Sequence, residues 1–462
     1  MDAVSIAELH QLVADLRQQV ERLTRQSEDL TAENARLVAQ NKQLQEQLVQ
    51  AKREAARSAA PFRRPDAKKI PQDQQKRPGR PAGHPGVNRP LPDRVDETII
   101  VPLDACPHCG GPVADCRPLE QYIEEIPPVQ PRVIKLTTHR GTCATCGEVA
   151  STHPLKTGSG SRASQVHLGP RAIALAATLN KQHGLSMRKT CRVLKDLCGL
   201  SLSAGGLSQA LDRLADRLEP DYQALFTDLR AGPATYVDET SWWIGGPGHW
   251  LWVFTSPTTT LYQVRESRGA AVVSDVLTAS YPGVLVSDCL NIYDTVPFEQ
   301  KHKCIAHHQK AIREQLDSPG LGDRTYLENW RSFFRQVCAI WKIWDRLSSE
   351  QRTAARVNYA AARDELLARE LTQEQDRRIR NRLVKQQPFL LTCLDKPESV
   401  EPTNNRAERA LRPAVIARKV SCGNKTMRGK QTWEVLSSLL STWWQRGQQT
   451  LVRLATRAGG VG

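Results

Sequence analysis

Leu9, Leu16, Leu23, Leu30, Leu37 and Leu44 fall on every seventh residue without a miss, and neither Gly nor Pro occurs in residues 1–60. With these leucines at d, the a positions are Ile6, Val13, Val20, Ser27, Asn34, Asn41 and Leu48. A strict seven-residue repeat of this length cannot close into a globular core. It specifies a long helix whose apolar seam wants a second helix, that is, a coiled coil over residues 1–58. The two Asn at a positions favour a parallel pair, because facing amides bond only in register. A lone amphipathic helix is the competing reading; self-association into at least a dimer is the expectation.

The chain has 462 residues, a prior of about three domains. Lys and Arg exceed Asp and Glu by 64 to 49, which favours a polyanionic partner. The excess is local. Residues 1–50 carry five basic and eight acidic side chains, residues 52–94 twelve and four, and residues 406–430 eight and one. No run approaches the ~18 apolar residues needed to span a bilayer, so no membrane partner is expected. The first thirty residues lack a basic start and an apolar block, so no signal peptide is expected. The twelve Cys therefore read as reduced thiols or metal ligands.

Residues 59–95 read as a flexible linker, Pro-rich and basic, unable to pack a core. It contains Lys76-Arg77-Pro78-Gly79-Arg80-Pro81, which has the form of an AT-hook that inserts Arg77 and Arg80 into a narrow minor groove. A plain solvated linker fits equally well.

Cys106-Pro-His-Cys109-Gly and Cys143-Ala-Thr-Cys146-Gly are two Cys-x-x-Cys turns with 33 residues between them. Two such knuckles can close a four-thiolate structural zinc site, with no open position for catalysis. Tyr122–Ile126 and Arg132–Thr138 read as the strands of a zinc ribbon within a module of residues 96–160. Cys116, His108 and His139 are alternative ligands. Residues 165–230 carry apolar side chains at helical spacing. Ser186–Leu197, a turn and Ser203–Leu218 are compatible with a helix-turn-helix, with Ser203, Ser208 and Gln209 near the start of the reading helix. An ordinary three-helix bundle fits the same periodicity.

Downstream, Ala234–Trp243 reads as a strand ending in an acid at Asp238. His249–Thr255 and Thr259–Arg265 form a hairpin pattern, Gly269–Ala279 a helix, and Gly283–Asp288 a second strand ending in an acid. Lys303–Ala306 reads as a short strand before a helix. Three antiparallel strands, a helix, then a strand ending in Asp is the ribonuclease-H-like order, which sets the two acids side by side. Adjacent carboxylates ionise together cheaply only with cations between them, so divalent metals and a third acid would complete a two-metal phosphoryl-transfer centre. Glu239, Asp275 and Asp294 compete as ligands. Asn405-x-x-Glu408 is equally the form of a helix capping box.

Asp238-Glu-Thr, Val286-Ser-Asp288 and Thr403-Asn-Asn-Arg-Ala-Glu408-Arg-Ala-Leu-Arg412, followed by Arg418-Lys419, resemble a transposase of the insertion sequence 66 family. The resemblance covers nearly the whole chain. It implies that Asp238, Asp288 and Glu408 form an Asp-Asp-Glu triad holding Mg²⁺ or Mn²⁺, and that residues about 311–400 are a helical insertion. Where the family shows a Trp-Ala-His-Arg-Arg type segment, this chain has Cys304-Ile-Ala-His307-His308-Gln309-Lys310. Arg406, Arg412, Arg418 and Lys419 are suited to holding phosphates of a DNA end.

The expected protein is thus multidomain α+β: coiled coil, linker, zinc ribbon, helical helix-turn-helix-like domain, a ribonuclease-H-like core over residues 231–440 and a tail at 441–462. The resemblance implies cutting at the ends of a bacterial insertion sequence and transfer of the freed 3′-hydroxyls into target DNA. DNA, a second copy of the chain and small accessory proteins of the element are the expected partners, in the cytoplasm and on the nucleoid. A structure-specific metal-dependent nuclease and a catalytically inactive DNA-binding regulator are the alternatives.

Overall fold

The computed structural model describes residues 6–56, 83, 89–156, 166–317 and 322–459. The AT-hook-like segment with Arg77 and Arg80 lies outside them. The chain divides into two units, residues 1–90 and 91–462.

In the first unit, helix α1 runs unbroken over Ile6–Ala56. Its 51 residues at 1.5 Å rise give a rod of about 77 Å. Leu16, Leu23, Leu30, Leu37 and Leu44 are all exposed, Leu30 by 71%, so the apolar seam has no cover within its own helix.

The second unit is a mixed α+β body, mostly helical. Its first strands, β1 (Arg140–Cys143) and β2 (Gly147–Ala150), form an antiparallel hairpin. The strands expected at Tyr122–Ile126 and Arg132–Thr138 are absent; both stretches carry no ladder, with Ile123 86% and Val133 91% exposed. The reason is local. Pro127, Pro128 and Pro131 offer no N–H and restrict the residues before them, so the pairing moves to the segment beyond, where Gly147 turns the chain at φ 75°.

Helix α2 (Pro170–Ala177) continues through a π-helical turn at Thr178–Gln182, and α3 (Met187–Cys198) and α4 (Ala204–Ala231) follow. Ser186 and Ser203 cap α3 and α4 by accepting from Lys189 N and Gly206 N. The third helix does not stop at Leu218 as expected. Leu207, Leu211, Leu214, Leu218, Tyr222, Leu225 and Leu229 keep helical spacing for 28 residues, and Pro220 is accommodated within it.

The central sheet has the order β5-β4-β3-β6-β7, made of β3 (Ala234–Trp242), β4 (His249–Thr255), β5 (Thr260–Arg265), β6 (Val284–Ser287) and β7 (Lys301–Lys303). β3, β4 and β5 are antiparallel neighbours, whereas β6 and β7 run parallel to β3. Between β5 and β6 lies α5 (Ala271–Leu277). The last strand falls two residues earlier than Lys303–Ala306, because Ile305 already begins a helix.

Period-two alternation splits the sheet between two cores. Val237, Trp252, Phe254 and Leu285 pack on the α4 and α5 side. Ala234, Tyr236, Val253, Val284 and Val286 pack on the other. That second layer contains α6 (Ile305–Leu316), α7 (Arg324–Lys342), α8 (Ser349–Ala368), α9 (Glu374–Gln386), α10 (Thr392–Asp395) and α11 (Asn405–Ser421). The stretch between the second and third acids is therefore predominantly helical.

The open edge at β5 is closed by α12 (Met427–Gln445). Thr260 N, Tyr262 N and Val264 N, the outward donors of the edge strand, donate to Thr442 Oγ1 (2.9 Å), Ser438 Oγ (2.9 Å) and Glu434 Oε1. The match is geometric: four helical residues rise about 6 Å and two strand residues about 6.8 Å. Side chains at i, i+4 and i+8 thus cover alternate edge amides that would otherwise template pairing with another chain. Residues past 441 finish α12 and form α13 (Thr450–Arg457), whose buried Leu454 joins the α2 side of the core.

Candidate active site

The parallel pairing of β3 with β6 sets Tyr236 beside Val286. Asp238 lies two residues beyond Tyr236 on β3, and Asp288 two residues beyond Val286, one past the end of β6. Glu408 lies in the first turn of α11. Asp238 does not end its strand, contrary to the expectation from sequence. β6 stops at Ser287, but β4 stays paired with β3 as far as Trp242↔His249. Asp238 is thus beyond the β6 pairing, half-buried and open on one side.

Asp238 feels the charges of the other two acids. Burial pushes the Asp238 carboxyl up from 3.8 to about 7, helped by the negative charges of Glu239, Asp288 and Glu408 and opposed by the Glu239 N–H, which donates to Asp238 Oδ1 at 2.9 Å. Asp288 is oriented by Leu290 N, which donates to its Oδ1 at 2.9 Å. Glu408 is exposed, and its backbone N–H donates to Asn404 O. The capping box at Asn405 does not form: Asn404 is the N-cap, without a side-chain capping bond, and the Glu408 carboxylate has no capping role.

Two of the competing acids are paired elsewhere. Glu239 points to the opposite face, 2% exposed, where Arg268 Nη2 lies 2.8 Å away and the Tyr293 hydroxyl donates to its carboxylate. Asp294 lies 2.8 Å from the buried Lys303 Nζ and 2.9 Å from Lys385 Nζ. Asp275 is exposed on α5. Carboxylate oxygens are hard donors suited to Mg²⁺ or Mn²⁺. Among the described residues no three His, Cys, Asp or Glu side chains converge on one point.

The basic residues of the third motif divide. Arg406 is ion-paired with Glu401 and lies 5.4 Å over the Tyr236 ring. Arg418 Nη1 donates to Thr240 Oγ1 (3.3 Å) and to the Ser241 carbonyl, fastening α11 to β3. Both brace elements of the fold. Arg412 and Lys419 are exposed on α11. On α4, Ser203 is occupied as a cap, Ser208 is half-buried and Gln209 is exposed.

Sequence reasoning missed Asn404. Its Nδ2 donates to Val237 O at 2.9 Å and its backbone N–H to Cys304 Sγ at 3.1 Å. Thr-Asn-Asn before a helix signals only a cap, and nothing in the sequence names its strand partner.

The cysteine turns have the expected backbone. Gly110 and Gly147, which follow Cys109 and Cys146, adopt positive φ of 72° and 75°. Cys106 closes its turn through Cys106 N to Gly111 O and Gly110 N to Cys106 O, both 2.8 Å. Knuckle hydrogen bonds hold the thiols of Cys106 (from His108 and Cys109) and Cys143 (from Cys146 and Thr145) below the ordinary cysteine range. Among the described residues no helix is long and apolar enough to cross a membrane.

Two curated relatives, both uncharacterized proteins of Sinorhizobium fredii (strain NBRC 101917 / NGR234), are similar over most of the chain. One, y4qI, is 24% identical over 74% of this chain and 70% of its own length. The other, y4jD, is 24% identical over 76% and 73%. The family model described as "Transposase IS66 family" matches residues 165–432, more than half of the chain and the stretch that contains all three acids. The chain belongs to the IS66 transposase family.

Proposed function

We propose that this transposase works by two-metal phosphoryl transfer, with Asp238, Asp288 and Glu408 as the metal ligands. The observation that supports the reading is the β3–β6 register, Tyr236 beside Val286, with Asp238 and Asp288 each two residues further along the chain and Glu408 in the first turn of α11. The Asp238 carboxyl, raised by burial first and by the neighbouring charges of Glu239, Asp288 and Glu408 second, is one whose ionised form a divalent cation would stabilise. The strand order, three antiparallel strands followed by two parallel ones, supports a ribonuclease-H-like core. Divalent cations held there would activate a water or a 3′-hydroxyl and offset phosphate charge. Asp288 is held for this by Leu290 N, and Asp238 by Glu239 N. Arg412 and Lys419, on the same helix as Glu408, are the residues to hold the phosphates of the DNA end. Arg77 and Arg80 would add a minor-groove contact, and Ser208 and Gln209 a contact from α4.

Cys106, Cys109, Cys143 and Cys146 would hold one structural zinc; the depressed thiols and the left-handed glycines after each pair fit thiolate ligands. The exposed leucine seam of α1 supports pairing of two chains, which raises the effective concentration of two DNA-binding units. The test is incubation of the protein with element-end DNA and Mg²⁺. Joined strands are expected from the native chain and none from Asp238→Asn, Asp288→Asn or Glu408→Gln. Cleavage of branched DNA without joining would favour a nuclease, and equal activity of the triad variants would end the proposal.

A further inference from the structure

The segment that precedes α11 is fastened on three sides. Pro402 O accepts from Ile305 N at 3.0 Å, and His302 Nε2 lies 3.2 Å from it, so the segment is tied to β7 and the start of α6. Asn404 N–H reaches Cys304 Sγ at the same junction. The Asn404 side chain, fully buried, reaches the other way: its Nδ2 donates to the carbonyl of Val237, the residue before Asp238. Its own backbone carbonyl accepts from the N–H of Glu408 at 3.2 Å. One residue therefore touches the strand of the first acid, the helix of the third acid and the strand–helix junction beside the second.

We infer that Asn404 is a positioning residue of the catalytic centre, setting the distance between Asp238 and Glu408 for metal binding. The inference rests on the reading of those acids as ligands. Side-chain packing alone does not account for an asparagine here. Its Oδ1 is buried and has no partner among the described residues, and an unpaired buried acceptor costs about 1–3 kcal/mol. Reversing the amide would set Oδ1 against the Val237 carbonyl, so the donor's place is fixed. Valine or leucine would fill the space without the unpaired oxygen, but would lose the bond that ties the start of α11 to the carbonyl next to Asp238. A misplacement of about 1 Å at a reacting centre can cost on the order of 100-fold in rate.

The experiment compares the full-length protein with Asn404→Ala and the isosteric Asn404→Asp, each measured for single-turnover cleavage of element-end DNA against Mg²⁺ concentration, and for melting temperature. Expected is a fall in saturated rate of about 100-fold and a rise of about tenfold in half-saturating Mg²⁺, in whichever variant melts above the assay temperature. Asn404→Asp keeps the size and decides the question if the alanine variant unfolds. A folded variant with native rate and native Mg²⁺ half-saturation overturns the inference. So does a slower folded variant whose half-saturation is unmoved, because a purely structural loss would leave metal affinity alone. Asp238→Asn runs alongside: if it still cleaves, the ligand assignment itself is wrong, whereas a dead Asp238→Asn with a native Asn404→Asp refutes only the positioning role.

Discussion

Replacing Asp238 with Asn should stabilise the metal-free protein while abolishing catalysis. The Asp238 carboxyl is pushed up from 3.8 to about 7 by burial and by the charges of Glu239, Asp288 and Glu408. A carboxyl whose pKa is raised on folding binds its proton more tightly in the native state. The native state therefore loses stability as pH climbs from about 4 to about 7, and is level beyond. That gap corresponds to about 4 kcal/mol, a ceiling because solvent screens a half-buried group. Asparagine removes the charge and keeps an oxygen for the Glu239 N–H. The variant should gain roughly 1–4 kcal/mol at pH 8 and almost nothing at pH 4. Urea unfolding in EDTA, followed by fluorescence of the buried Trp242, Trp252, Trp330 and Trp443, reads this directly. Mg²⁺ should stabilise the native chain at pH 8 and leave the variant unmoved. A variant less stable at pH 8, or a gain independent of pH, would refute the electrostatic reasoning.

Purified, unchelated protein should carry one zinc per chain by native mass spectrometry, and Cys106→Ser should lose it; zinc-free native protein would contradict the four-thiolate site. Ser438→Ala leaves Tyr262 N without its acceptor and should cost about 1–3 kcal/mol in urea unfolding; no loss would mean that α12 does not serve the β5 edge. Deleting residues 1–58 should lower the mass found by light scattering from at least a dimer to a smaller species while the catalytic core stays folded; an unchanged mass would place the assembly interface elsewhere. Neutralising Arg77 and Arg80 should flatten the salt dependence of DNA affinity by about one unit of slope for each phosphate no longer neutralised.

The strands of the core were legible because each is a run of alternating or β-branched residues bounded by turn signals; His249–Thr255 matches to the residue, and the other strands of that core lie within a few positions. Asp238 and Asp288 stand out in the sequence for the same reason, since an acid after a buried β-branched run is conspicuous. What the sequence did not reveal depends on contacts across the fold. Glu239 follows Asp238 directly, and only the pleat, with Arg268 and Tyr293 behind it, removes it from the site. Nothing in the basic motif signals that Arg406 pairs with Glu401 or that Arg418 reaches the Ser241 carbonyl. The run at Tyr122–Ile126 has strand composition, but three prolines downstream deny it a ladder partner. Pairing of β5 with α12 spans some 180 residues and follows no local pattern.

The most direct test of the metal assignment is cleavage of the polypeptide by Fe²⁺ substituted for Mg²⁺. With ascorbate and peroxide, bound iron generates hydroxyl radicals that cut the backbone near its ligands. Cuts near residues 238, 288 and 408, suppressed by excess Mg²⁺ and lost together in Asp238→Asn, are the predicted result. Cuts confined to other positions, in a preparation that joins DNA strands, would contradict the assignment.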